Sequence, residues 1–287
     1  MTTVDISIGN LAFAYLAATV IWAFSRAAGE EIGKSLITSI ARMTLQLFLL
    51  GYVLLELFRS SNWIFTVSAY LLMLLFGTQL IISRCGVKFK GIYLVIASSM
   101  GISVTTVMAY FTLLVIQSDS VMEPRHIIPI AGMILCNSMN GAALAVERFF
   151  SALRSSRNDF ETLLSLGATV NEASKSCFKQ AFRASLMPMM MTMSSAGLVS
   201  IPGMMVGQIL CGASPLVSVK YQIAILIAMT TSVSITAFLS LKLACRYFFT
   251  DTGTYRDDIF RVNQPSDTSQ PAQRRPKVCG GAGTGCR

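Results

Sequence analysis

The sequence predicts an all-α, polytopic membrane protein of about seven transmembrane helices, with one long cytoplasmic segment between the fifth and sixth. Two observations carry this. Of 287 residues, 53% are hydrophobic and only 13% charged, against about 25% charged in an ordinary soluble domain. The apolar residues also fall in blocks long enough to span, about 20 residues each, because lipid cannot satisfy an exposed backbone. A mean hydropathy of +0.61 agrees. The net charge of +9 therefore needs no nucleic acid, since Lys and Arg concentrate in the cytoplasmic loops of membrane proteins.

The expected spans are 6–24, 36–57, 63–82, 92–116, 127–146, 184–199 and 220–245. The sixth contains Pro188 and is followed by Ser200-Ile201-Pro202-Gly203, which breaks the helical pattern. Residues 200–219 read either as broken backbone lining a protected cavity or as an outer loop at the interface. With the N-terminus outside, inward-facing segments hold 19 Lys and Arg and outward-facing ones only Arg59, Arg125 and Lys220. The positive-inside rule then places the C-terminus in the cytoplasm. No signal peptide is expected, because 1–10 lacks a basic region and the apolar stretch after it is long enough to span. Residues 1–249 form the expected membrane domain. Residues 250–287 turn polar and Gly-rich, as a flexible cytoplasmic tail does.

Several motifs suggest chemistry. Seven cysteines show no Cys-x-x-Cys pair, and His126 is the sole histidine, so no His-based metal site is expected. Ala28-Gly29-Glu30-Glu31-Ile32-Gly33-Lys34-Ser35 ends like a phosphate-binding loop, with Ala28 where the pattern wants Gly. Such a loop needs a strand before it, and here membrane spans flank it. A cytoplasmic connector anchored by Arg26 and Lys34 explains it better. Met187, Met189, Met190, Met191 and Met193 supply soft thioether sulfur suited to copper(I). Contiguous positions point all round a helix, however, which favours packing. Arg42 and Gln46 share a face of the second span and Glu56 lies near its outer end. Ionisable groups in a span are functional candidates, although Arg42 is close enough to the inner end to snorkel.

Residues 147–183 are the most informative. Phe149, Leu153, Ser156, Phe160, Leu163 and Gly167 step by three and four, predicting an amphipathic helix. Gly167 then precedes a second, basic amphipathic run at 175–183. A helix–Gly–helix unit tied to two spans would serve as a lever for a soluble partner, or would rest on lipid headgroups.

Glu161-Thr-Leu-Leu-Ser-Leu-Gly167-Ala168 resembles the cytoplasmic coupling motif of ABC-transporter permeases. The usual motif closes with Leu-Pro sooner; here Pro188 lies 21 residues after Gly167. That longer spacing, with Phe182-Arg183-Ala-Ser-Leu-Met-Pro188, Gly197-Leu-Val-Ser-Ile-Pro-Gly-Met-Met-Val-Gly-Gln208-Ile-Leu210 and Lys220-Tyr-Gln-Ile, looks like the Fet/Ybb-type permeases. These are the bacterial iron-export permease and its plant aluminium-tolerance relatives. Ala41-Arg42-Met-Thr-Leu-Gln46 matches the family's second span. The resemblance implies the membrane half of a metal exporter, not itself an enzyme and binding no cofactor. A separate ABC ATPase would use the ATP, and the permease chains would pair as a homodimer in lipid. It implies Arg157, Glu161, Gly167 and Ala168 as the ATPase-coupling residues and Arg42, Gln46, Glu56 and Gln208 along the translocation path. No metal ligands are identified. The rivals are a secondary transporter, which would want ionisable residues near the midplane, and a seven-helix receptor.

Overall fold

In the computed structural model, residues 32–60, 63–85, 92–116 and 124–248 are described, together with scattered positions between 9 and 23. The described residues form helices and turns, without a strand. The major helices are α1 (Ile32–Ser60), α2 (Trp63–Cys85), α3 (Ile92–Tyr110, prolonged by a π-helical stretch Phe111–Ile116) and α4 (Pro124–Ser155). Three shorter pieces follow: α5 (Arg157–Ser165), α6 (Val170–Ala173) and α7 (Lys175–Ser195). The chain ends its described part with α8 (Gly203–Leu210) and α9 (Pro215–Phe248). The expected first span, 6–24, lies largely outside the described residues, although Tyr15 is helical there and its hydroxyl meets Thr44 Oγ1 of α1 at 2.6 Å. The tail 250–287, with Cys279 and Cys286, also lies outside them.

Among the described residues, five helices are long and apolar enough to cross a membrane: α1, α2, α3 with its π-helical end, α4 and α9. They match the second, third, fourth, fifth and seventh expected spans. The sixth, 184–199, falls on α7, whose Lys179 and Arg183 leave it less apolar. Its crossing follows from helix direction instead. Asn137 meets Met229 and Gly141 faces Val233, so α4 and α9 run the same way. The chain must therefore return between them. On α7, Phe182 packs on Phe238 and Met193 meets Thr230, so α7 runs antiparallel to α9 and supplies that return.

The core lies where α3, α4 and α9 meet. Lipid offers helices no hydrophobic reason to associate, so small residues and interhelical hydroxyls do the work. Ser232 Oγ of α9 lies 2.7 Å from Ser138 Oγ of α4 and 3.2 Å from Ser103 Oγ of α3. Ser103 also donates to the Ser232 carbonyl at 2.8 Å, and Ser99 meets Ser240 at 3.0 Å. All these hydroxyls are fully buried. Gly141 lets α4 approach α9 so closely that a Cβ there would lie 2.6 Å from Val233 Cγ1.

One expected boundary changes. The amphipathic helix expected to begin after residue 147 is continuous with the fifth span to Ser155. Nothing between 146 and 155 breaks the helix, and Phe149, Phe150 and Leu153 bury themselves in the core. The stripe then shifts phase at Ser156, where the backbone leaves helical angles (φ −106°, ψ 29°). Phe160 stays buried, but Leu163 turns outward, and Leu164 packs on the core in its place.

Candidate functional site

The segment between α4 and α7 folds into a compact turn whose every bend has a local cause. Helix α5 stops at Leu166 because Gly167 adopts φ +90°, a conformation that glycine reaches without strain. The Ala168 N–H donates to the Leu163 carbonyl and the Gly167 N–H to the Leu164 carbonyl, both at 3.0 Å. This pair of bonds is a Schellman motif, and it satisfies the carbonyls that a helix end leaves open. Thr169 then starts α6 with a capping box. Its backbone N–H donates to Glu172 Oε2 at 2.9 Å, and its side chain accepts from the Glu172 N–H. The Thr169 backbone and hydroxyl hydrogen bonds hold the Glu172 carboxyl below its ordinary pKa. The reciprocal cap is thus fully formed at neutral pH and weakens only as Glu172 protonates in acid. The Thr-x-x-Glu spacing was legible as a helix start, yet the sequence reading passed over it.

The four coupling candidates converge on this turn. Arg157 Nε donates to Glu161 Oε1 at 2.7 Å, an i,i+4 ion pair on the exposed face of α5. At the surface such a pair contributes little to stability, about 0.3–0.5 kcal/mol, so its value lies in fixing two side chains on one face. Gly167 makes the bend, and Ala168 closes it through its N–H. At the tip, Leu166 is 79% exposed and Leu163 lies beside it in the same helix. The turn therefore presents two apolar side chains, on a different side of α5 from the Arg157–Glu161 pair. Behind it, Ser174 is buried and hydrogen-bonds Cys245 near the end of α9. Phe178 and Phe182 of α7 pack edge-on against Phe238. The turn and the start of α7 are thus seated against the C-terminal part of α9.

The path candidates are not brought together. Arg42, Gln46 and Glu56 are all exposed on α1. Arg42 and Glu56 are fourteen residues apart, about 21 Å along a helix. Gln208 lies on α8, which packs against α9. Its Oε1 is buried without a hydrogen-bond partner, and Gln222 Oε1 on α9 shares that condition. Sequence reasoning missed Gln222, which reads as one amide in an apolar run. The interrupted stretch 200–219 contains α8, and none of that helix's residues is buried. Gly33, Lys34 and Ser35 lie in the first turns of α1, while 28–31 are outside the described residues. No group of three or more His, Cys, Asp or Glu with metal-holding geometry occurs among the described residues.

Comparison with known proteins adds the following. The family model described as "Uncharacterised protein family (UPF0014)" matches residues 8–249. The chain is 36% identical over 208 residues to a UPF0014 membrane protein of Synechocystis, covering 72% of this chain and 80% of that one. It is 30% identical over 251 residues to the probable iron export permease protein FetB of Escherichia coli, covering 87% and 95%. It is 31% identical over 225 residues to Protein ALUMINUM SENSITIVE 3 of Arabidopsis thaliana, covering 78% and 81%. No solved structure matches.

Proposed function

Because this chain belongs to the UPF0014 family of membrane proteins, we propose that it is the membrane subunit of an ABC transporter that moves metal ions such as iron out of the cytoplasm. The ATP is hydrolysed by a separate subunit. The observation that carries the reading is the turn at 163–172, closed by its Schellman bonds and capping box, which holds the exposed Leu163 and Leu166 at its tip. Exposed apolar side chains on a defined turn are what a docking protein buries. The Escherichia coli relative, a probable iron export permease protein, supports a permease and iron as cargo.

The orientation follows from charge: N-terminus outside and C-terminus in the cytoplasm, which puts the turn on the ATPase side. Two permease chains assemble, since α1 presents apolar side chains on all sides and Arg42, Gln46 and Glu56 lie exposed along it. Those three residues and Gln208 line the route between the copies.

Inside-out membrane vesicles test this reading. Vesicles containing this chain and its ATPase are expected to accumulate iron when given ATP, and to stop when either protein is left out. Accumulation that ignores ATP but collapses with the proton gradient would make the chain a secondary transporter.

A further inference from the structure

The methionines of α7 are sorted by the fold. Met189 is 5% exposed and sits in the core, and Met193, 42% exposed, is turned to α9, where it accepts a hydrogen bond from Thr230 at 3.3 Å. Met187, Met190 and Met191 point the other way, 45%, 54% and 67% exposed. Their spacing is i, i+3, i+4, which makes them neighbours on one helix face, about 5–6 Å between Cβ atoms. Contiguous methionines do radiate around a helix, but here three of the sulfurs remain together on the side that the bundle leaves open.

Filling space does not explain that face. A gap-filling methionine is buried, as Met189 is. Nor is it the composition with which this chain meets lipid. The exposed face of α2 is built from residues such as Leu71, Leu72 and Phe76.

We propose that Met187, Met190 and Met191 form a thioether site for a soft monovalent cation of the copper(I) or silver(I) type, facing the transport route. Thioether sulfur selects soft metal ions over hard ones such as magnesium or iron(III). The three ligands are neutral and α7 carries no carboxylate, so the site suits a singly charged ion and holds it loosely enough to release it. The placement on a route rests on the permease reading; the binding does not.

The test uses the full chain in detergent, with its cysteines alkylated and its methionine methyl groups labelled with carbon-13. Silver(I) nitrate is the probe, because it does not change oxidation state. Among the 16 methionines, the methyl signals of Met187, Met190 and Met191 are expected to shift together and saturably, with single Met→Leu variants assigning them. Magnesium should move none of them. Replacing all three by Leu should weaken silver binding by more than the about 10–100-fold that losing an outer-shell partner costs a metal site. The remaining methyl signals should keep their positions, showing that the fold is intact. Unmoved signals from these three residues, or unchanged affinity in the triple variant, would overturn the site. The titration contains no ATPase, so its failure leaves the permease reading standing, and failure of ATP-driven transport leaves the site standing.

Discussion

Gly141→Ala is expected to be the most destabilising conservative change in the membrane domain. The new Cβ would lie 2.6 Å from Val233 Cγ1 and 3.6 Å from Val233 Cβ. Val233 is buried, and a β-branched side chain in a helix has essentially one comfortable rotamer. It cannot swing aside, so α4 and α9 must separate. Overpacking of this kind typically costs about 1–3 kcal/mol. Separation would also stretch the nearby Ser138–Ser232 contact of 2.7 Å. The thermal midpoint in detergent, read by size exclusion of heated samples, should fall clearly. Val233→Ala in the same chain should restore much of the loss, as expected of two groups in direct contact. Gly51→Ala is the control, because a Cβ there meets nothing within 4 Å. Equal midpoints for Gly141→Ala and Gly51→Ala would show that the close approach is not required.

Gly167→Val should do the opposite kind of damage. A Cβ at Gly167 also meets nothing within 4 Å, so packing is not at issue. The cost comes from φ +90°, where a β-branched residue is strained by about 1–3 kcal/mol. The strain is relieved by undoing the Schellman bonds, which redirects α6 and tilts the Leu163–Leu166 tip. The variant should express and insert, and because the turn can rearrange locally its thermal midpoint should fall less than that of Gly141→Ala, while ATPase association and transport are lost. Gly167→Ala should retain part of both, since Ala is not β-branched and is strained less at positive φ. If Gly167→Val bound the ATPase and transported at the parent rate, the turn would not be the coupling element. The two glycines thus separate assembly from coupling.

Much of this fold was legible because hydrophobic span length is a strong signal. Five blocks of the sequence correspond to five membrane-length helices, and the bend at Gly167 follows from the one residue that bends without strain. The misread stripe beyond Ser156 has a different cause. Periodicity assumes an unbroken helix, and a single residue leaving helical angles moved burial from Leu163 to Leu164. Crossing by α7 was visible only as a doubtful, Pro-bearing span, because its role depends on the parallel course of α4 and α9, a tertiary fact. The serine contacts among α3, α4 and α9 were hidden for the same reason. Ser99, Ser103, Ser138 and Ser232 are ordinary polar interruptions until three helices bring them together. The methionine face required the structure too, since sequence spacing cannot say which side of a helix the bundle covers.

The central claim is that the 163–172 turn is held by a separate ATPase and does not rest on lipid. A photo-cross-linking amino acid placed at Leu166, the exposed tip, measures this directly in membranes that contain the ATPase. The predicted result is a covalent adduct between the two subunits that disappears when Gly167→Val is added. Cross-linking to lipid alone, with or without the ATPase present, would contradict the account.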